Sequence, residues 1–205
     1  SVTLDRDYVD MISGMISIPS EYNGMPVTVI EDSAFYNCKF LSTVKIPNSI
    51  KKIGGNAFYN CIALTNVVFT GEFSDLIIGS QAFRNCALQE ISFPIGTVEI
   101  GSFVTSDCKN LNNVVIPEGI KTIGIGAFSQ DINLHEITIP ASVTYVGSGL
   151  INNSGITKVY FEDPAGWKRY RRNEYGDPTG LGSNVNESEL NDATQAANYL
   201  NTYST

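Results

Sequence analysis

The stretch "IKKIGGNAFYNCIALTNVVF" (50–69) returns as "IKTIGIGAFSQDINLHEITI" (120–139), with Ile, Lys, Ile, Gly, Ala-Phe and Leu in matching places. Self-similarity at a fixed period constrains a chain more than any single motif, because it sets the architecture before any element is assigned. Anchored on the isoleucine that usually precedes glycine, the period shows at Ile30, Ile53, Ile78, Ile100 and Ile123, with Val146 in the same slot. The steps are 23, 25, 22, 23 and 23 residues. Eight residues past each anchor stand Cys38, Cys61, Cys86 and Cys108, then Asp131 and Ser154. An apolar slot follows at Leu41, Leu64, Leu88, Leu111, Leu134 and Ile156. Beyond it come Val44, Val67, Ile91, Val114, Ile137 and Val159, and two further on Ile46, Phe69, Phe93, Ile116, Ile139 and Phe161.

Leu-x-x-Val-x-Ile with a cysteine at a constant offset is the pattern of a leucine-rich repeat. A unit of this size cannot bury its own apolar side, so neighbouring units must stack and bury it jointly. The alternation Val44-Lys45-Ile46 reads as a short strand with one face inward. The piece Ile50–Ile53 reads as a second short strand on the other side of the coil, with Phe58 filling the space between them. The expected fold is a leucine-rich repeat solenoid, β-rich and of the α/β class. It has about six stacked coils of 22–25 residues with a parallel strand ladder and terminal caps. At ~4.8 Å per strand, the stack is roughly 30 Å long. The departures from the period read as turns on the outside: "SEYNGMP" lengthens the first, and "TGEFSDL" adds two residues between Phe69 and Ile78. In the fourth unit "SFVTSDC" replaces the Ala-Phe pair, with Phe103 displaced toward Ile100.

The stretch "IPNSIKKIGGNAFYNCIALTNVVF" resembles the BspA-like leucine-rich repeat family, whose units carry an IP, an IG, an AF and a Cys at these places. The resemblance covers roughly residues 16–161. "IPSEYNGMPVTVIEDSAF" resembles the family's first repeat, "FEDPAGWKRY" the segment that ends such arrays in surface proteins of gut bacteria, and "DATQAANYLNTYS" their C-terminal tail. The resemblance implies a secreted or surface-attached bacterial protein, associated with adhesion to host proteins or other cells. It brings no catalytic motif and no cofactor.

An array needs end units over its exposed core edges. Residues 1–15 read as an N-terminal cap, with Leu4, Tyr8, Val9, Met11 and Ile12 covering the first coil. Residues 16–161 are the array, and 162–205 the C-terminal cap and tail. Trp167, the one tryptophan, is expected to pack on the last coil, a ligand-facing ring being the alternative. "NEYGDPTGLGSNVNESEL" is rich in turn formers and reads as a surface loop. "SELNDATQAANYL" opens with capping residues and can form a short terminal helix.

Four cysteines invite a disulfide reading, but all occupy one repeat slot that also accepts Asp131 and Ser154. Buried free thiols that pack and make a weak hydrogen bond explain such a column better. No close Cys pair of zinc-site spacing occurs, and no metal is expected. His135 in "NLHEIT" is expected to be a solvated surface residue; a hydrolase acting through it is the remaining catalytic alternative. The run Lys168-Arg169-Arg171-Arg172 reads as a solvated cap face or, alternatively, a docking patch for an acidic partner.

A formal charge of −8 argues against duplex nucleic acid or anionic membrane as the main partner. No apolar run approaches the ~20 residues of a membrane helix. The opening "SVTLDRDYVD" lacks the apolar core of a signal peptide, so localisation outside the cell is an expectation from the resemblance alone. The outward slots of the main ladder form the natural candidate surface: Thr43, Lys45, Asn66, Val68, Glu90, Ser92, Asn113, Val115, Glu136, Thr138, Lys158 and Tyr160. Their neutral, hydroxyl- and amide-rich chemistry suits a host or cell-surface protein or glycan, with Tyr160 and Lys158 as first anchors. A structural spacer presenting another part of a longer surface protein is the competing expectation.

Overall fold

The computed structural model describes residues 1–3, 10–165, 168–172, 178–184 and 187–202. The repeat becomes a parallel solenoid of about six coils, numbered here by their anchors from Ile30 to Val146. The anchors form one continuous column. Ile30 pairs with Ile53, Ile53 with Ile78, Ile78 with Ile100, Ile100 with Ile123, and Ile123 with Val146. Their strands make a six-stranded sheet, the short ladder, which Val2 extends by a bridge to Ile30.

The long ladder on the other side is interrupted. Ser13–Ser17, Phe40–Pro47 and Asn66–Thr70 form one parallel sheet, Glu90–Ser92 and Asn113–Val115 a second, and Glu136–Ile139 and Lys158–Phe161 a third. The first break falls at the "TGEFSDL" insertion, where the extra residues offset one coil from the next. The second has no insertion beside it, and nothing in the structure explains it. "SEYNGMP" folds out as a small antiparallel hairpin pairing Glu21–Tyr22 with Met25–Pro26. Asn23 and Gly24 both take positive φ at its tip, as a tight two-residue hairpin turn requires.

Between the ladders each coil turns through two left-handed residues. The first column holds Ser33, Asn56, Gln81, Phe103, Gly126 and Gly149; the second holds Asn37, Asn60, Asn85, Asp107, Gln130 and Asn153. Asn and Gly supply most of these positions because they adopt positive φ at least cost. The conformation aims alternate N–H groups at the next coil. In coil 2, for example, Asn56, Phe58 and Asn60 donate to the carbonyls of Ser80, Ala82 and Arg84. The corners are thus as fully hydrogen-bonded between coils as the sheets are.

The glycine after every anchor but Ile30 has a steric cause. A Cβ on Gly124 would meet the Ser102 nitrogen at 2.3 Å, and one on Gly147 the Ile125 nitrogen at 2.3 Å. Two backbones touch at this corner, and only hydrogen fits between them.

The interior holds the repeated Leu, Val, Ile and Phe columns. Phe35, Phe58 and Phe83 stack face to face at 5.1 and 5.4 Å. Full burial of such a ring contributes about 2–3 kcal/mol. At the C-terminal end Glu187–Asn191 and Ala193–Thr202 are helical, and both pack against the last strand of the long ladder, Lys158–Phe161. Asp192 caps the second helix, its carboxylate accepting from the N–H groups of Thr194 and Gln195 at 3.0 and 2.9 Å. Leu190, Ala196 and Ala197 are buried there.

Three expectations about the ends need correction or restriction. Met11 does not cover the first coil; it is 71% exposed, while Ile12 packs against the core. The strand Ser13–Ser17 does the covering, continuing the long ladder with Ile16 opposite Val44. The tract expected as a loop contains a strand, Pro178–Asn184, paired antiparallel with Lys168–Arg172. Leu4, Tyr8, Val9 and Trp167 lie outside the described residues.

Candidate functional site

The long-ladder slots lie in register as two outward columns within each sheet. Thr43 pairs with Asn66 and Lys45 with Val68; Glu90 with Asn113 and Ser92 with Val115; Glu136 with Lys158 and Thr138 with Tyr160. Nine of the twelve are exposed, while Thr43, Lys45 and Val68 are half-buried. Thr43 and Lys45 lose exposure because Ser13–Ser17 lies beside them, placing Met15 against Thr43 and Ser17 against Lys45. Met15 and Ser17 therefore belong to the face, and sequence reasoning missed them. Their signal was the "ISIP" that ends on Pro19 as "VKIP" ends on Pro47. Val115 and Tyr160 are the exposed apolar points, 45% and 43% accessible.

The cysteines form the expected column. All four are buried and free. Three of the thiols donate to the carbonyl of the phenylalanine one coil back: Cys61 to Phe35 at 3.1 Å, Cys86 to Phe58 at 3.1 Å, and Cys108 to Phe83 at 3.2 Å. Burial pushes the Cys86 and Cys108 thiols up, so they stay protonated and lack the thiolate that nucleophilic chemistry requires. Asp131 takes over the slot in coil 5 and is fully buried. It accepts from the Thr105 hydroxyl at 2.8 Å and from the Cys108 N–H at 2.9 Å. Burial raises its carboxyl to about 8, the Thr105 hydrogen bond opposing the rise. His135 is exposed, and its Nδ1 donates to the Gly155 carbonyl at 3.3 Å. No nucleophile stands beside it in any hydrogen bond of the described residues.

The fourth unit is read differently in three dimensions. Phe103 occupies the left-handed slot of the turn, with φ 55°. Val104 and Thr105 fill the Ala and Phe slots: Phe83 donates its N–H to Val104 as Phe58 does to Ala82, and Thr105 donates to Ala127. The unchanged spacing of eight residues from Ile100 to Cys108 was the signal for this register. Beside Phe103 the turn column changes from Tyr36, Tyr59 and Arg84 to Ser106, Ser129 and Asn152, and a pocket of about 190 Å³ opens.

Residues 15–77 and 74–166 match the BspA type leucine rich repeat region, in six copies. Among solved structures the chain is similar to the pneumococcal vaccine antigen PcpA, at 24% identity and a TM-score of 0.66, over 78% of this chain and 42% of that one. It is also similar to a leucine rich cell surface protein from Faecalibacterium prausnitzii, at 26% identity and a TM-score of 0.53, over 81% of this chain and 53% of that one. The chain thus spans about half of the length of these structures, or less. No curated protein matches it. Among the described residues, no helix is long and apolar enough to cross a membrane. The repeat matches over most of the chain, and its Ile-Gly, Ala-Phe and Cys slots stack in register: the chain belongs to the BspA type leucine-rich repeat family.

Proposed function

We propose that this chain is a non-catalytic binding module displayed on or outside a bacterial cell, an adhesin-like domain that holds a host or cell-surface macromolecule on its long-ladder face. The observation that carries the reading is the pair of outward columns, mostly exposed and mostly neutral, that the three sheets of the long ladder present between Asn66 and Tyr160. Such an extended surface offers the contact area that a macromolecular partner requires. Val115 and Tyr160 are the apolar anchors, and Lys158 supplies a charge beside Tyr160. The array is taken as residues 16–161, with 1–15 and 162–205 as caps.

The test is a binding screen of this chain against host proteins and surface glycans, repeated with Lys158→Ala/Tyr160→Ala and Asn113→Ala/Val115→Ala. The reading predicts a loss of at least tenfold in affinity from either pair in a folded protein. Full retention of binding by both pairs contradicts it.

The fraction of the similar structures that the chain spans favours a second reading, in which the array is a spacer carrying another part of a longer surface protein. Further domains in the parent gene, together with no captured partner in the screen, would select it.

A further inference from the structure

The turn side of coils 4 to 6 is built differently from that of coils 1 to 3. In the first three coils the corner is closed on itself. The rings of Tyr36 and Tyr59 stack at 5.1 Å, and the Arg84 guanidinium lies 5.9 Å from the Tyr59 ring. Beneath them the amides of Asn37, Asn60 and Asn85 form a ladder, each donating to the one before. Asp107 ends that ladder in an ion pair with Arg84 at 3.1 Å.

The same columns then stop satisfying themselves. Gln130 and Asn153 continue the amide column, and Asn152 stands where Tyr36 and Tyr59 stood. Among the described residues, none of these three side chains has a hydrogen-bond partner, and all three line the pocket of about 190 Å³. The pocket's aromatic wall is Phe103. Arg84 lies 5.8 Å from its ring centroid. The ring also overlies Gly126, where a Cβ would meet its Cε1 at 2.4 Å. Phe103 reaches this position only through a left-handed φ of 55°, a conformation that bulky residues rarely adopt. Its counterpart one coil earlier but one is Asn56, at the same φ of 55°.

A pocket of this size is below the roughly 300–1,000 Å³ of drug-sized ligand sites, so it suits a single ring. Every residue that lines it is uncharged. Its polar groups are amides, which both donate and accept, and it has one aromatic side wall. That combination matches the alternating hydroxyls and C–H faces of a neutral sugar, and its lining brings no cation to a phosphate or a carboxylate. We propose that coils 4 to 6 carry a saccharide-binding pocket in which Phe103 packs against a neutral sugar ring and Gln130, Asn152 and Asn153 hydrogen-bond its hydroxyls. The site is separate from the long-ladder face, and neither depends on the other.

The experiment is a titration of the ¹⁵N-labelled chain with chitotriose, mannotriose, maltotriose and lactose, following the side-chain amides of Gln130, Asn152 and Asn153. At least one sugar should shift all three saturably. Phe103→Asn, which installs the residue that coil 2 carries in this slot, should melt no lower than the parent and bind at least tenfold more weakly. Should that variant fail to fold, the exposed Asn152→Ala decides in the same way. The proposal is overturned if none of the four sugars moves these amides, if the shifts map to the long ladder instead, or if the folded variants bind as the parent does.

Discussion

Coils 1 to 3 and coils 4 to 5 solve one packing problem with different chemistry. In the first group a phenylalanine fills the centre of each coil and a cysteine thiol ties it to the next. In coil 4 the phenylalanine slot holds Thr105, and in coil 5 the cysteine slot holds Asp131; the two side chains hydrogen-bond at 2.8 Å in a fully buried setting. Ser106 and Ser129 do the same one position on, at 3.0 Å. Buried polar groups are tolerated when each finds a partner and are costly when one does not. A column can therefore leave its apolar chemistry only where the facing slot of the next coil changes with it. Removing the large ring and the large turn residues together also opens the surface at Phe103.

The largest effect expected from this comparison is in the regular half. Phe58→Ala removes a ring packed on both sides and should cost about 3–5 kcal/mol in urea unfolding. A loss under about 1 kcal/mol would mean that the stack carries little of the stability.

The next effect belongs to the irregular half. Burial raises the Asp131 carboxyl to about 8, well above the ~3.9 of an unfolded aspartate. The folded state therefore holds a proton that the unfolded state releases. Asp131's contribution is fully present below about pH 4 and is lost as the pH rises toward 8. Stability should fall by on the order of 2–4 kcal/mol between pH 5 and pH 8, and Asp131→Asn should flatten that slope. An unchanged slope in the variant would place the titration elsewhere.

Thr105→Val should then cost about 1–3 kcal/mol, because it strips a partner from a buried carboxyl without changing volume. Adding Asp131→Cys should recover part of the loss, as the paired-change account requires; strictly additive losses would break it.

The smallest effect separates the two turn sides. Asn85→Ala and Asn153→Ala both put alanine at a left-handed position, φ 54° and 55°. Only Asn85 also gives up an amide-ladder bond, so it should cost about 0.5–1.5 kcal/mol more.

Much of this was legible from residue types alone. The anchor column, the thiol column and the two faces of the long ladder follow from which side chains recur and at what offset. The left-handed columns were not, because that constraint acts on the backbone and admits Ser, Asn, Asp, Gln, Gly and once Phe. Phe103 misled for the same reason: an aromatic residue near an Ala-Phe slot looks like a displaced core residue, whereas counting from Cys108 puts it on the turn. The first break in the long ladder depends on how the inserted residues offset one coil against the next, which hydropathy does not encode. Met11 was read inward because it is apolar; the strand after it left it outside.

The central claim is that residues 22–25 positions apart sit on neighbouring rungs of one coil stack. It is tested most directly by scalar couplings across hydrogen bonds in the labelled chain. The account predicts couplings from the amide nitrogens of Gly54, Gly79, Gly101, Gly124 and Gly147 to the carbonyl carbons of Ile30, Ile53, Ile78, Ile100 and Ile123, each across a bond of 2.8 Å. Couplings that join these glycines to other residues, or an antiparallel pattern between the anchors, would contradict it.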